Sequence, residues 1–352
     1  MKRTLDQVNQ EETKKPTSTK VKVIIIAGYN GSKFFGSQKQ PEKDLRTVEG
    51  EIVKALCDQE LIYRKDLGKF KNIAFNRATR TDKKVHALQN YFGCKLRAIS
   101  VDLSEVKEKL RKSVPDDIKI FGLLKGSSKF NTKLSCSSRE YLYYLPSFCM
   151  QSLKSQTSYD NCHKYRIGGL DEINKVAEMY KGTNKFHNYT QGIHPKMGSA
   201  QRYIMQFKAE RTLIINDLEL IELFIKGQSF LYNQIRKMVG MVIYVIRKGL
   251  PIEVIKNSFK DNTFITPLAP GNGLILQRVC YDHYNKTGDS VELPEADNAS
   301  VEEFKQQLIE YMAENELKEN IYVNWLKKLD TSDEGDTEDH IHDYKKYNES
   351  ES

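Results

Sequence analysis

Short apolar runs alternate with polar, turn-rich breaks along this chain, and the spacing of the apolar positions switches repeatedly between two and about 3.6 residues. Residues 21–27, Val-Lys-Val-Ile-Ile-Ile-Ala, form a β-branched run with the character of a buried strand, closed by the turn Gly28-Tyr29-Asn30-Gly31. Thr47 can cap a helix over residues 48–57, in which Val48, Ile52 and Ala55/Leu56 share one face. An apolar run at residues 89–97 predicts the next strand. Asp102 with Glu105 has the form of a capping box, for a helix ending near Ser113. Val114-Pro115-Asp116-Asp117 breaks that helix, and residues 118–124 and 139–145 predict two more strands. The order strand, helix, strand, helix, strand, strand indicates an α+β sheet with helices on one face.

Residues 150–167 are polar and irregular, and the boundary between two lobes is placed there. The second lobe opens with a helix from Asp171, apolar at Ile173, Val176, Ala177 and Tyr180 and stopped by Gly182. A loop at 186–192 and strands at 203–210 and 218–226 follow. The strongest helix spans 230–247, with Leu231, Ile235, Met238, Val242 and Val245/Ile246 at helical spacing and Gly249 and Pro251 ending it. A short helix at 252–259 and a strand at 273–281 close the lobe. Ser300 with Glu303 starts an amphipathic helix over 301–314, and another helix covers 319–329. The expected organisation is a disordered polar lead-in (1–20), two similar α+β lobes (21–150 and 151–285) facing a central cleft, a helical extension (286–329) and a disordered acidic tail (330–352).

Composition narrows the function. The 352 residues are 39% hydrophobic and 29% charged, and no apolar run is long enough to span a bilayer, so no membrane role is expected. The net charge is +8, and the acidic tail means that the body is more basic than this sum. A basic body favours a polyanionic partner, most commonly nucleic acid, although a merely soluble basic protein has the same charge. Six scattered cysteines without a Cys-x-x-Cys pair suggest free thiols in a reducing compartment. Cys162-His163 is the one adjacent pair of metal-type ligands; a structural zinc assembled from distant residues stays open, but nothing predicts one. The first twenty residues lack the apolar centre of a secretory signal, and their acids argue against a mitochondrial presequence.

The candidate chemistry lies in residues 77–87, Arg-Ala-Thr-Arg-Thr-Asp-Lys-Lys-Val-His-Ala. One carboxylate, Asp82, sits among Arg77, Arg80, Lys83 and Lys84. A lone aspartate among cations is expected to titrate below its ordinary value and to stand beside groups that attract phosphate. A solvated loop with one surface ion pair would read the same way in isolation.

Read with the rest of the chain, Arg80-Thr81-Asp82 followed by Val85-His86-Ala87 resembles the catalytic motif of the TruA family of tRNA pseudouridine synthases. Tyr29-Asn30-Gly31 with Phe35-Gly36-Ser37-Gln38 and Thr47-Val48-Glu49-Gly50 resembles the family's amino-terminal signature. Ser138-Arg139-Glu140-Tyr141-Leu142-Tyr143 with Leu145-Pro146 is similar to its Arg-x-Tyr strand. The run from Gly182-Thr183 through Phe186-His187-Asn188-Tyr189-Thr190 to Arg202-Tyr203-Ile204 is similar to the eukaryotic multisite branch. Residues 227–240 resemble the long-helix motif, and Ala269-Pro270 with Gly273-Leu274-Ile275-Leu276 the terminal one. The match covers about residues 21–285, in order.

The resemblance implies an RNA-modifying isomerase acting on uridines in tRNA, and in other structured RNAs if its substrate range is wide. It implies Asp82 as nucleophile or base at the sugar. Arg80 would hold the place of the extruded nucleotide, a role its planar, phosphate-binding guanidinium suits, or make a plain phosphate contact. Tyr141 is implied to stack on the flipped base, and Arg236 to pair with and orient Asp82. Arg236 sits on an otherwise apolar helix, where a charge wants a partner. Phe230 and Leu231 would line the pocket, with core packing an equally good account, and Lys83 faces the RNA. Lys237 is expected to face solvent, and His86 and His187 to be structural. No cofactor is required. The resemblance further implies nuclear residence, and it leaves monomer and homodimer open. Where the family carries glycine, this chain has Lys84, which must either take a positive φ or reshape the loop. The competing reading is a non-catalytic RNA-binding or RNA-chaperone protein on the same fold.

Overall fold

The computed structural model describes residues 20–40, 45–97, 102–156, 158–263, 265–286, 291 and 295–331. The lead-in and the acidic tail therefore lie almost wholly outside the described residues. The first half contributes β1 (Val21–Tyr29), α1 (Val48–Asp58), β2 (Asn76–Arg77), β3 (His86–Leu96), α2 (Leu103–Ser113) and β4 (Ile118–Lys125). The rest supplies β5 (Ser138–Pro146), α3 (Asp171–Glu178), β6 (Gly182–Lys185), β7 (Gln201–Ile215), β8 (Leu218–Gly227), α4 (Gln234–Lys248), α5 (Glu253–Asn257), β9 (Leu274–Cys280), α6 (Asp282–Asn285), α7 (Glu295–Glu319) and α8 (Ile321–Thr331). This is the expected α+β class.

Among the described residues all nine strands join one sheet, in the order β4-β1-β3-β9-β5-β8-β7-β6 with β2 on β3. Every ladder is antiparallel except β3–β9, where His86 and Ala87 pair in parallel with Ile275 and Leu276. That two-residue seam welds the first four strands to the last five. Residues just before β3 and side chains on β5, which flanks β9, are thereby brought to the same place, although some sixty positions separate Asp82 from Tyr141. β5, numbered within the 21–150 lobe, takes its sheet partners from β8 and β9.

Local chemistry explains several element ends. Thr47 accepts the Gly50 N–H at the start of α1, and Asp102 accepts the Ser104 N–H at the start of α2. Asn216 and Asp217, both at positive φ (49° and 62°), make the two-residue hairpin between β7 and β8, where left-handed residues match the strand twist. Gly249 at φ 62° ends α4. Of the boundaries that differ from the periodicity, two shape the cleft. β3 begins at His86, three residues early, because the seam with β9 draws it into the sheet. α4 begins at Gln234, four residues late: Asn233 takes φ 60°, and the Gln234 side chain turns back to accept the Leu231 N–H at 2.8 Å. Residues 230–233 are thereby released from the helix to form a wall of the cleft.

α7 and α8 are built into the core. Val301, Phe304, Leu308, Ile309, Met312 and Ala313 are buried, as are Tyr322, Val323, Leu326 and Leu329. Glu316, 1% exposed, crosses from α7 to accept the Tyr322 and Val323 N–H groups at 2.8 and 3.4 Å; burial pushes its carboxyl up to about 7. All six cysteines are unpaired. Among the described residues no helix is long and apolar enough to cross a membrane, and no three metal-type ligands cluster.

Candidate active site

The 78–85 segment is an irregular stretch held from several sides. Ala78 N–H donates to the Tyr91 carbonyl at 2.9 Å, and Asn90 Nδ2 donates to the Thr79 carbonyl at 3.1 Å. Ser37 clasps Thr81 twice, donating its N–H to the Thr81 carbonyl at 3.1 Å and accepting the Thr81 N–H on Oγ at 2.9 Å. The Thr81 hydroxyl lies 2.8 Å from the buried Tyr29 hydroxyl. Gly31 runs so close behind the loop that a Cβ there would lie 2.0 Å from the Val85 carbonyl oxygen. The Tyr29–Ser37 segment is thus the back wall of the Asp82 loop.

Asp82 itself is half-buried, with the Asn233 backbone N–H facing its carboxyl. Its carboxyl is raised, not lowered: loss of water outweighs the fields of Arg236 and Arg80 and the bond from Asn233. Counting cations in the sequence missed this because Arg77 is committed elsewhere, to Glu49, and because desolvation has no sequence signature. Activity that needs the ionised carboxylate is therefore expected to fall with decreasing pH through a midpoint above the ordinary aspartate value of about 4. Single-turnover rates against pH test this, and a midpoint below 4 would contradict it.

Arg236 makes no hydrogen bond or N···O ion pair within 4.0 Å with Asp82, where the resemblance implied a direct pair. Its Nε donates to the Ala269 carbonyl at 2.8 Å and its Nη1 to Asn233 Oδ1 at 3.2 Å. It reaches Asp82 only through its field and shares Asn233 as a neighbour. Tyr141 is 5% exposed, with its hydroxyl 3.5 Å from Thr79 Oγ1 and its ring edge-on to Phe230 at 5.2 Å. Arg80 is exposed, and among the described residues it makes no hydrogen bond or ion pair. Lys83, also exposed, holds Nζ 4.4 Å over the Phe35 ring. All seven candidates, Asp82, Arg80, Arg236, Tyr141, Lys83, Phe230 and Leu231, line one cavity of about 1470 Å³.

A family profile described as tRNA pseudouridine synthase matches residues 176–282. The mouse protein "Pseudouridylate synthase 1 homolog" is 32% identical over 317 residues, covering 88% of this chain and 74% of that one. The chain belongs to the TruA family of tRNA pseudouridine synthases. The human protein of the same name is also 32% identical, over 75% of this chain and 61% of its own length. "tRNA pseudouridine synthase 1" of Candida albicans is 26% identical over 93% of this chain and 68% of its own. Among solved structures, an unknown protein from Galdieria sulphuraria aligns at 13% identity over 65% of this chain and 92% of its own, with a TM-score of 0.18, too low to inform on the fold.

The one departure from the family motif resolves simply: Lys84 takes φ 67°. A side chain in the left-handed region costs about 1–2 kcal/mol, and glycine's extra chain entropy returns about half of that. Lys84→Gly is therefore expected to stabilise the fold by about 0.5–1 kcal/mol in urea denaturation. A loss of stability would mean that the lysine chain makes a compensating contact.

Both family histidines are structural. His86 is fully buried, accepts the Gly31 N–H on Nδ1 at 3.2 Å and places Nε2 3.1 Å from the Asn272 carbonyl; burial lowers it to about 4, so it is neutral with the proton on Nε2. His187 Nε2 lies 3.2 Å from the Asn262 carbonyl. Lys237 does not face solvent. Its Nζ points at the Asn188 and Thr190 carbonyls at 3.3 and 3.4 Å, and burial lowers it to about 8. Sequence reasoning also missed Asn233 as a donor, Glu49 as the partner of Arg77, and the cleft-lining Arg139, Leu134 and Tyr232. Leu134 and Tyr232 are 81% and 58% exposed, apolar surface suited to unpaired bases.

Proposed function

We propose that this protein isomerises uridines of tRNA, and of other RNAs that present a similar fold, to pseudouridine, with Asp82 as the reacting carboxylate. The observation that supports this most is the convergence of Asp82 and Arg80 from one loop, Tyr141 from β5 and Arg236 from α4 on one cleft. The N1–C1′ bond of the uridine breaks, the base turns, and C5 bonds to C1′; the proton on C5 is exchanged for one on N1. Atoms and electrons balance with no oxidant, and no step calls for a metal. Asp82 attacks C1′ or takes a proton from the sugar in this reading, and both routes need it ionised. Extruding the uridine costs a few kcal/mol, which Tyr141 offsets by stacking and the free guanidinium of Arg80 by filling the gap. Phe230 and Leu231 bound the base pocket, and Lys83 meets the backbone. Nuclear residence is proposed on the eukaryotic resemblance alone and is tested by cell fractionation.

The deciding experiment incubates the purified chain with uridine-labelled tRNA transcripts and maps pseudouridine, with Asp82→Ala beside it. Product from the wild type alone supports the reading. RNA binding without product from either would favour the RNA-chaperone alternative.

A further inference from the structure

A buried polar chain runs from the helical extension to the cleft. Tyr322, the second residue of α8 and 2% exposed, lies beyond the segment matched by the family profile. Its hydroxyl donates to the Tyr143 hydroxyl at 3.0 Å and lies 3.2 Å from the Tyr144 carbonyl. Tyr143, fully buried on β5, donates in turn to the Pro270 carbonyl at 2.7 Å. The preceding carbonyl, Ala269, is the acceptor of Arg236 Nε, and the Ala269 N–H returns a bond to the Arg236 carbonyl at 3.2 Å. Arg236 then holds the side chain of Asn233, whose backbone N–H faces the Asp82 carboxyl. The closing glycine of the 269–273 turn makes room for this arrangement: a Cβ on Gly273 would lie 2.2 Å from the Tyr322 hydroxyl and 2.6 Å from the Tyr144 carbonyl.

We propose that Tyr322 is a positioning residue for the isomerisation: through Tyr143 and the Ala269-Pro270 turn it fixes where Arg236 and Asn233 stand relative to Asp82. The proposal rests on Asp82 being the reacting carboxylate. If the ring of Tyr322 served only to anchor α8, phenylalanine would fill its place, and no hydroxyl would have to be desolvated there. The hydroxyl instead meets two polar partners at the point where the turn carrying the Arg236 acceptor is fastened to β5. Loss of that donor leaves Tyr143 free to shift with Pro270, and Arg236 follows through Ala269.

The test compares Tyr322→Phe, Tyr143→Phe and their double variant with the wild type on a tRNA transcript, measuring kcat, KM, pH profile and melting. Tyr144→Phe is the control: its hydroxyl is as deeply buried but donates to Glu222 at 2.6 Å, off this path. Tyr322→Phe is expected to lower kcat roughly five-fold, the worth of one hydrogen bond, with KM within two-fold. Its acid limb should move to higher pH, because a displaced Arg236 stabilises ionised Asp82 less while Arg80 is unchanged. Tyr143→Phe should match it, and the double variant should fall no further, since both cut one path. Tyr144→Phe should keep wild-type kcat. If Tyr322→Phe melts earlier but keeps kcat and pH limb, the proposal is overturned. Asp82→Ala in the same assay separates the two readings: an active Asp82→Ala sinks the assignment of Asp82, whereas an inactive one beside an unaffected Tyr322→Phe sinks only the role of Tyr322.

Discussion

Asp82→Ala is expected to lower the single-turnover rate of pseudouridine formation by a factor on the order of 10⁴ or more, with tRNA affinity within a few-fold of wild type. The split follows from the geometry. Affinity for a polyanion comes from many dispersed cations and exposed apolar side chains, of which Arg80, Lys83, Leu134 and Tyr232 line this cleft. The chemistry has one carboxylate at the centre of that surface. Asp82→Asn should be equally inactive, and it adds a thermodynamic readout. A carboxyl whose folded pKa is raised holds its proton more tightly in the native state, so its ionisation costs stability as pH rises through that value. At neutral pH the amide, which has no charge to desolvate, is expected to melt higher than wild type, a margin that should shrink as pH falls and the wild-type carboxyl protonates. A residue that lowers stability where it sits and cannot be replaced without loss of turnover is what a reacting group should be. An unchanged rate in either variant would remove Asp82 from the mechanism.

The chain reveals its strands and helices where local signals are strong and misleads where tertiary structure decides. Thr47 and Asp102 cap as their residue types say, because capping is settled within one helical turn. The apolar stripe of α4 is equally plain, yet its first turn is lost, since Asn233 sits at positive φ and interrupts the helical run before Gln234. The two-residue β2 and the four-residue β6 leave no period to detect. The seam between β3 and β9 joins positions nearly two hundred residues apart, and nothing local encodes it. That Asp82, Arg80, Tyr141 and Arg236 come to line one cavity is legible through motifs. Their protonation and pairing are not. The raised carboxyl of Asp82 and the commitment of Arg236 to Ala269 and Asn233 depend on burial and on neighbours brought by the fold. Lys84 is the intermediate case: residue type alone, a lysine at a glycine position, points to a strained φ, and the side chain does adopt one.

Glu49→Ala is expected to destabilise the protein by roughly 3–4 kcal/mol, the largest stability effect among the groups behind the catalytic loop. Glu49 occupies the second position of α1, where a carboxylate favours the helix start, and it is fully buried. It receives Arg77 through two nitrogens, Nε on Oε1 and Nη2 on Oε2 at 2.8 Å, and the Lys39 N–H at 3.1 Å. Truncation would leave the Arg77 guanidinium half-buried without its anion, and the cost of an uncompensated charge exceeds that of the missing methylenes. The damage should not stay local. The Glu49 N–H donates to the Ser37 carbonyl at 3.0 Å, and Ser37 is the residue that clasps Thr81. Arg77 enters the same loop from its other end, paired with Phe92 on β3. The carboxylate therefore holds Arg77 at the start of the Asp82 loop and Lys39 two residues past the Ser37 that clasps Thr81, and kcat should fall even at temperatures where Glu49→Ala remains folded. Glu49→Gln keeps the volume and one acceptor, so it should lose about half as much stability. Urea denaturation of the three proteins decides it: a Glu49→Ala variant within about 0.5 kcal/mol of wild type would mean that the Arg77 pair contributes nothing net, as replaced buried pairs sometimes do.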